Sequence, residues 1–318
     1  MAAMRGTAGP ILLLSLLLST AGCQEYGLDE ILYTDVFTQG SDEDAVVDLL
    51  FIVDNSGTMS EEQQRLAASL GGLMVLLEET LADFRLGIIT TDVEDPGHRG
   101  RLQGAPAVLG PDTPDLPGAF VANAQVGTGG SRDEQGLSAL QLALTEAVDA
   151  GANEGFFRPG ARLHAVVISD EDDHSDGGVE TLLSQLAVDV PDAAQFAVHA
   201  IVGDVPDGSL SPDAVADAGP RYLEAARRSE GFSGSICLAD WTPLLESIGL
   251  AALGLQDTFF LSHEPDQSTI DVRVDDVRIP ERESDGWSYE PGVNAVILDG
   301  GAVPRPGMQV VITYYLLR

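Results

Sequence analysis

The sequence predicts an α/β chain built on a doubly wound, mainly parallel sheet and closed by a small antiparallel β unit. Three observations carry this reading. From residue 46 apolar strand runs alternate with amphipathic helical segments, the pattern of a sheet covered on both faces. The strand runs are nearly continuous in apolar residues, as in strands buried on both sides. After about Leu255 the period changes to two and no helical pattern returns.

Taken in order, Val46-Val47-Asp48-Leu49-Leu50-Phe51-Ile52-Val53 is a buried strand that ends at Asp54. Ser60-Glu61-Glu62-Gln63 has the form of a capping box, and Leu66, Leu70, Leu73 and Leu77 then share one helical face. Further strands are expected over 84–91, 163–169 and 196–202. Helices are expected over 134–149, 179–188, 220–229 and 242–252, the last with Pro243 in its first turn. The Gly- and Pro-rich stretch 93–118 is a loop excursion from this core. Beyond it all, 269–275 alternates cleanly and 294–298 and 309–317 are β-rich, which predicts roughly four antiparallel strands with Phe259, Trp287 and Tyr289 filling their core. The expected organisation is therefore an α/β domain over 45–255 and a β appendage over 256–318.

Composition narrows the function. Of 318 residues 44% are hydrophobic and 21% charged, enough for a packed core. Against 51 acidic residues stand 16 basic ones, a formal net charge of −35, so nucleic acid is excluded as a partner for want of a basic stripe. All 16 basic residues are Arg. Without lysine, a Walker-type phosphate loop, a kinase-type ATP site and a pyridoxal Schiff base each lack their amine. There is no Gly-x-Ser-x-Gly elbow or His-Glu-x-x-His helix, and the histidines His98, His164, His174, His199 and His263 are scattered. These absences point away from an enzyme.

The amino terminus reads as an export signal over 1–22: Arg5, then the apolar run over 11–18, then the small residues Ser19-Thr20-Ala21-Gly22 before Cys23. Small residues followed at once by cysteine resemble the lipobox of bacterial lipoproteins, with Thr20 in place of the usual leucine. That resemblance implies acylation at Cys23, and multiple acyl chains hold a protein firmly to a membrane. An ordinary cleaved secretory signal is the other reading. Residues 23–44 are polar enough for a tether. Cys237, between Ile236 and Leu238, reads as a buried, inert thiol.

The chemistry concentrates in Phe51-Ile52-Val53-Asp54-Asn55-Ser56-Gly57-Thr58-Met59, a strand that empties into a carboxylate and two hydroxyls at alternate positions. Asp54, Ser56 and Thr58 can surround one point at the strand's carboxyl end, where open α/β sheets place ligands. This is a hard oxygen set, suited to Mg²⁺, Mn²⁺ or Ca²⁺. The segment resembles the metal-ion-dependent adhesion site, Asp-x-Ser-x-Ser/Thr, of the von Willebrand factor type A domain. The resemblance implies two more groups: an aspartate at the end of a later strand, matched by Asp170 after Ala165-Val166-Val167-Ile168-Ser169, and a loop threonine. For the latter, spacing back from Gly136-Leu137 favours Ser131, with Thr128 as the competing choice and Glu134 and Asp92 as neighbours able to add ligands. Of the acidic run over 170–176, Asp172, Asp173 and Asp176 read as a solvated loop ahead of a second, Ca²⁺-type cation site.

The whole layout, from the lipobox to the β-rich tail, looks like type A domain lipoproteins of high-GC, myxobacteria-like Gram-negative bacteria. It implies a cell-envelope protein, lipid-anchored to a bacterial membrane, the outer one ahead of the inner, that binds a protein partner through a Glu or Asp side chain on the cation. Two other readings are an envelope scaffold whose metal only orders loops and a haloacid-dehalogenase-like phosphatase. The phosphatase lacks its second Asp, replaced by Ser56, and its lysine. If Cys23 carries the anchor, Cys23→Ser blocks acylation and leaves unprocessed precursor. Mass spectrometry of the mature amino terminus checks this.

Overall fold

The computed structural model describes residues 32–39, 46–80, 82–149, 151–190, 196–211, 215–282 and 284–316. The signal segment, Cys23 and most of the expected tether lie outside the described residues. In chain order come β1 (Leu32–Thr38), β2 (Val46–Val53), α1 (Ser60–Ser69), α2 (Gly71–Glu79), β3 (Asp83–Thr90), α3 (Leu116–Ala124), α4 (Gly136–Leu144), α5 (Glu146–Asp149), β4 (Arg162–Ile168), α6 (Val179–Asp189) and β5 (Phe196–Val202). The short strands β6 (Ser209–Leu210) and β7 (Val215–Ala216) precede α7 (Pro220–Arg228), β8 (Ser233–Ser235) and α8 (Thr242–Leu253). The chain closes with β9 (Thr258–Phe260), β10 (Asp271–Val274), β11 (Val277–Ile279), β12 (Trp287–Glu290), β13 (Ala295–Leu298) and β14 (Gln309–Tyr315).

The apolar strands assemble into one parallel sheet in the order β3-β2-β4-β5-β8. Alternate side chains of β2 serve opposite layers. Val47, Leu49, Phe51 and Val53 pack with Leu66 of α1, Leu73 and Leu77 of α2, Phe120 of α3 and Leu245 of α8. Leu50 and Ile52 pack with Leu137 and Leu140 of α4, Leu186 of α6 and Tyr222 of α7. The doubly wound α/β arrangement is as the sequence predicts. Asp48, which interrupts the apolar run of β2, is buried against Arg158, whose Nε donates to Oδ1 at 2.8 Å and whose backbone N–H donates to Oδ2 at 2.9 Å. From β2 the chain moves to one side for β3 and to the other for β4, which opens a crevice at the carboxyl ends of β2 and β4.

Several expectations change, among them the helix over 134–149, which begins at Gly136 and is split into α4 and α5. The helix expected after Ser60 is two helices, and the capping box is not formed: Met59 occupies the N-cap with no side-chain cap bond. Gln63 instead is buried and its Nε2 donates to the carbonyls of Asp54 (3.2 Å) and Gly127 (2.8 Å), because a buried amide needs acceptors and these two lie in reach. Residues 32–38, read as tether, form β1 and pair along their length with β14, from Leu32 opposite Tyr315 to Thr38 opposite Gln309. Every second side chain of β1, Tyr33, Asp35 and Phe37, turns half-buried. The appendage is accordingly larger than four strands, with one antiparallel sheet β1-β14-β10-β11 and a second, β12-β13-β9.

Nor does the core break near residue 255. Gly254 ends α8 with a left-handed φ of 66° that suits glycine. Beyond it, Phe259, Trp287, Val296 and Ile312 join the same apolar cluster as Leu76 of α2 and Ile248 of α8. Phe37 and Phe259 meet at 5.2 Å between ring centroids. Gln39 Nε2 donates to the carbonyls of Gln256 and Pro304, and Arg305 pairs with Glu79 of α2 at 3.0 Å. Phe259 and Trp287 are buried as expected, while Tyr289 is half-buried and donates its hydroxyl proton to Asn294 Oδ1. Among the described residues no helix is long and apolar enough to cross a membrane.

Two of the scattered histidines meet in the core. His164 of β4 and His199 of β5 are buried, with His164 Nδ1 2.9 Å from His199 Nε2. The Phe232 backbone N–H donates to His199 Nδ1, so His199 carries its proton on Nε2 and donates it to His164 Nδ1. Burial pushes His164 down to about 4 and His199 down to about 3. Below the ordinary value of 6.5 the unfolded chain takes up protons that the native pair refuses. The pair's contribution is therefore intact above about pH 6.5 and is lost as pH falls toward 4. Urea unfolding across this window should show falling stability, and the double variant His164→Leu/His199→Leu should show a flatter profile.

Candidate metal centre

The carboxyl ends of β2, β3 and β4 bring together the motif residues and several that the motif did not name. Asp54 is fully buried just past β2, where its Oδ1 accepts the Ser56 N–H at 2.7 Å. Ser56 is buried, Thr58 is exposed, and their hydroxyls lie 3.2 Å apart. Asp170, just past β4, is buried to 6% exposure, and the nearby Thr58 hydroxyl favours its charged form against that burial. The four residues Asp54, Ser56, Thr58 and Asp170 thus converge.

The loop residues take different places. Ser131 is half-buried: its backbone N–H donates to Asp92 Oδ2 at 3.2 Å, and its Oγ accepts the Asp133 N–H. Thr128 is exposed. Asp92 is buried, and its Oδ1 accepts the N–H groups of Glu94 and Asp95, so it organises the loop after β3. The side chain delivered to the crevice is Glu134, which is fully buried and accepts a hydrogen bond from the Thr91 hydroxyl. Gly130 explains how the loop comes so close. Its N–H donates to the Asn55 carbonyl at 2.8 Å, and a Cβ there would fall 2.3 Å from Asn55 Oδ1.

Ser169 also belongs to the site. Its hydroxyl donates to Asp54 Oδ2 at 2.7 Å, which fixes both Asp54 oxygens. Its place at a buried strand end, directly before Asp170, is the signal that could have found it. Asp173, expected in a solvated loop, is instead buried against Arg221 and accepts the N–H of Leu137 at the start of α4. A charge so placed is retained because it is paired and hydrogen-bonded. Asp176 is exposed, as the loop reading requires.

Like charges crowd this crevice. Burial first, with the charge of Asp54 added, lifts Asp170 to about 6 and Glu134 to about 8. Burial likewise raises Asp54 and Glu171. Three buried oxygens, Asp170 Oδ1, Glu134 Oε1 and Asn55 Oδ1, have no hydrogen-bond partner among the described residues. Among the described residues no group of three or more His, Cys, Asp or Glu side chains forms a metal-ligand cluster. The convergence here is of mixed hydroxyl and carboxylate oxygens, and that donor set fits a hard divalent cation.

No protein-family model matches the chain, and no curated protein matches it by sequence. Solved structures do resemble its chain path. The pilus adhesin SpaC from Lactobacillus rhamnosus GG, in its open conformation, is 10% identical with a TM-score of 0.47, over 89% of this chain and 40% of that one. A second form of that adhesin gives a TM-score of 0.46 at 10% identity, over 89% of this chain and 41% of that one. Proximal thread matrix protein 1 from the mussel byssus is 12% identical with a TM-score of 0.38, over 69% of this chain and 48% of that one. The chain spans about two fifths of the pilus adhesin's length.

Repulsion within the crevice makes a simple prediction for the metal-free protein. Asp170→Asn removes one buried charge and offers an amide donor, so unfolding in EDTA at pH 7 should show a gain on the order of 1–3 kcal/mol.

Proposed function

We propose that this chain is a non-enzymatic, cation-dependent protein-binding module of the type A kind, held at the cell envelope by an acylated Cys23. The observation that carries the reading is the set of buried, unpartnered carboxylate oxygens beside two hydroxyls at the switch point of the sheet. Ser56 and Thr58 would hold Mg²⁺, or Mn²⁺ or Ca²⁺, directly. Asp54 and Asp170 would orient its water ligands, with Asp54 fixed for that role by Ser56 and Ser169. Bound there, the cation supplies an electrophilic point for a carboxylate oxygen of a partner's Glu or Asp. Hydroxyl ligands add no negative charge and so leave that electrophilicity intact.

The hydrogen bonds to both oxygens of Asp54 also speak against the phosphatase reading, in which that carboxylate attacks phosphate. Ser56 stands where such an enzyme needs an acid/base Asp. The net charge of −35 opposes an acidic partner at long range. With a Debye length of about 8 Å, that repulsion slows encounter more than it weakens the docked contact. The scaffold reading, with metal ordering the loops, draws support from one observation, the burial of Glu134 at the site.

Calorimetric titration with Mg²⁺ and Mn²⁺ tests the assignment. Asp54→Ala should abolish binding, Ser56→Ala and Thr58→Ala should weaken it about tenfold or more, and Asp176→Ala should leave it unchanged. Undiminished binding by folded Asp54→Ala defeats the site.

A further inference from the structure

Glu134 is not required by the motif, yet the fold spends several contacts on aiming it. Its backbone is clamped on two sides: its carbonyl accepts the His174 N–H at 2.7 Å, and the next residue, Gln135, donates its N–H to the Thr91 carbonyl at 3.2 Å. The Thr91 hydroxyl then holds one carboxylate oxygen, Oε2, while the other, Oε1, is buried with no hydrogen-bond partner among the described residues. The neighbouring charges acting on it are those of Asp54 and Glu171, both negative. A fully buried carboxylate with an open oxygen and anionic neighbours either holds a proton or draws a positive charge, and a cation at the site would supply that charge.

We infer that Glu134 is an internal ligand of the site, a carboxylate occupying the position that a partner's acidic side chain would otherwise take on the cation. The inference rests on the cation-binding reading above and adds regulation to it. Charge arithmetic favours it. Asp54, Asp170 and Glu134 already outweigh a divalent ion, so a fourth carboxylate finds no electrostatic gain while Glu134 stays. The resting site is closed, and a partner carboxylate binds by displacing Glu134 from the ion. Thr91 is the positioning residue that sets how readily Glu134 leaves.

The test uses Mn²⁺ as cation and acetate as the carboxylate probe, read by water-proton relaxation on the exported chain. Wild type should bind Mn²⁺ with few exchangeable waters and show little response to acetate. Glu134→Gln should bind Mn²⁺ about tenfold or more weakly, hold at least one more exchanging water, and lose that water to acetate. Thr91→Val, which keeps the carboxylate but frees it, should retain Mn²⁺ affinity and gain the acetate response. Metal-free Glu134→Gln should melt no lower than wild type, whereas a purely structural glutamate would lower the melting temperature when replaced. If wild type binds Mn²⁺ and neither variant changes affinity, bound water or acetate response, Glu134 is no ligand and the inference alone falls. If wild type binds no Mn²⁺, the cation-binding reading falls and takes the inference with it.

Discussion

The organising constraint is the burial of several carboxylates at the carboxyl ends of β2 and β4. In a crevice shielded from water, like charges at close range cannot all ionise cheaply, and the direction of every shift there, upward for Asp54, Glu134, Asp170 and Glu171, expresses that cost. A fold keeps such a cluster only where something offsets it. Elsewhere in the protein the offset is visible: Asp48 has Arg158, and Asp173 has Arg221. In the crevice the partners are hydroxyls and backbone N–H groups, which satisfy some oxygens and leave Asp170 Oδ1 and Glu134 Oε1 open.

The rest of the molecule serves to hold those groups in place. Gln63 ties the Asp54 loop to Gly127, Gly130 ties its own loop to Asn55, and Asp173 ties the start of α4 to α7. Each contact joins segments far apart in the chain, so the crevice is set by the sheet and its two helical layers together. The β unit lies against α2 and α8 and shares their apolar cluster, while β1 fastens the chain's early residues to β14.

Much of this was legible in the residues. Central strands 46–53 and 196–202 stand where the apolar runs placed them, because strands buried on both faces need no partner information to be recognised. Asp54, Ser56, Thr58 and Asp170 were legible for a related reason: each lies at or just beyond a readable strand end. Residues 32–38 were not, since Thr34, Asp35 and Thr38 give the segment a linker's polarity and its pairing partner lies at the other end of the chain. The capping box failed because Gln63 had better acceptors across space than along the helix.

What the sequence determined by itself is what local pattern determines: the α/β class, the strand that empties into Asp54, the acidic balance and the oxygen character of the site. What only the tertiary structure decided is how the loop residues beside that site are held. Spacing along the chain pointed to Ser131 with Glu134 as a neighbour; in the fold the Ser131 backbone bonds to Asp92 and its hydroxyl to the Asp133 N–H, while contacts from Thr91 and His174 hold Glu134 in its buried place. A loop's side chains are aimed by contacts with distant segments, and those contacts exist only after the sheet has brought the segments together.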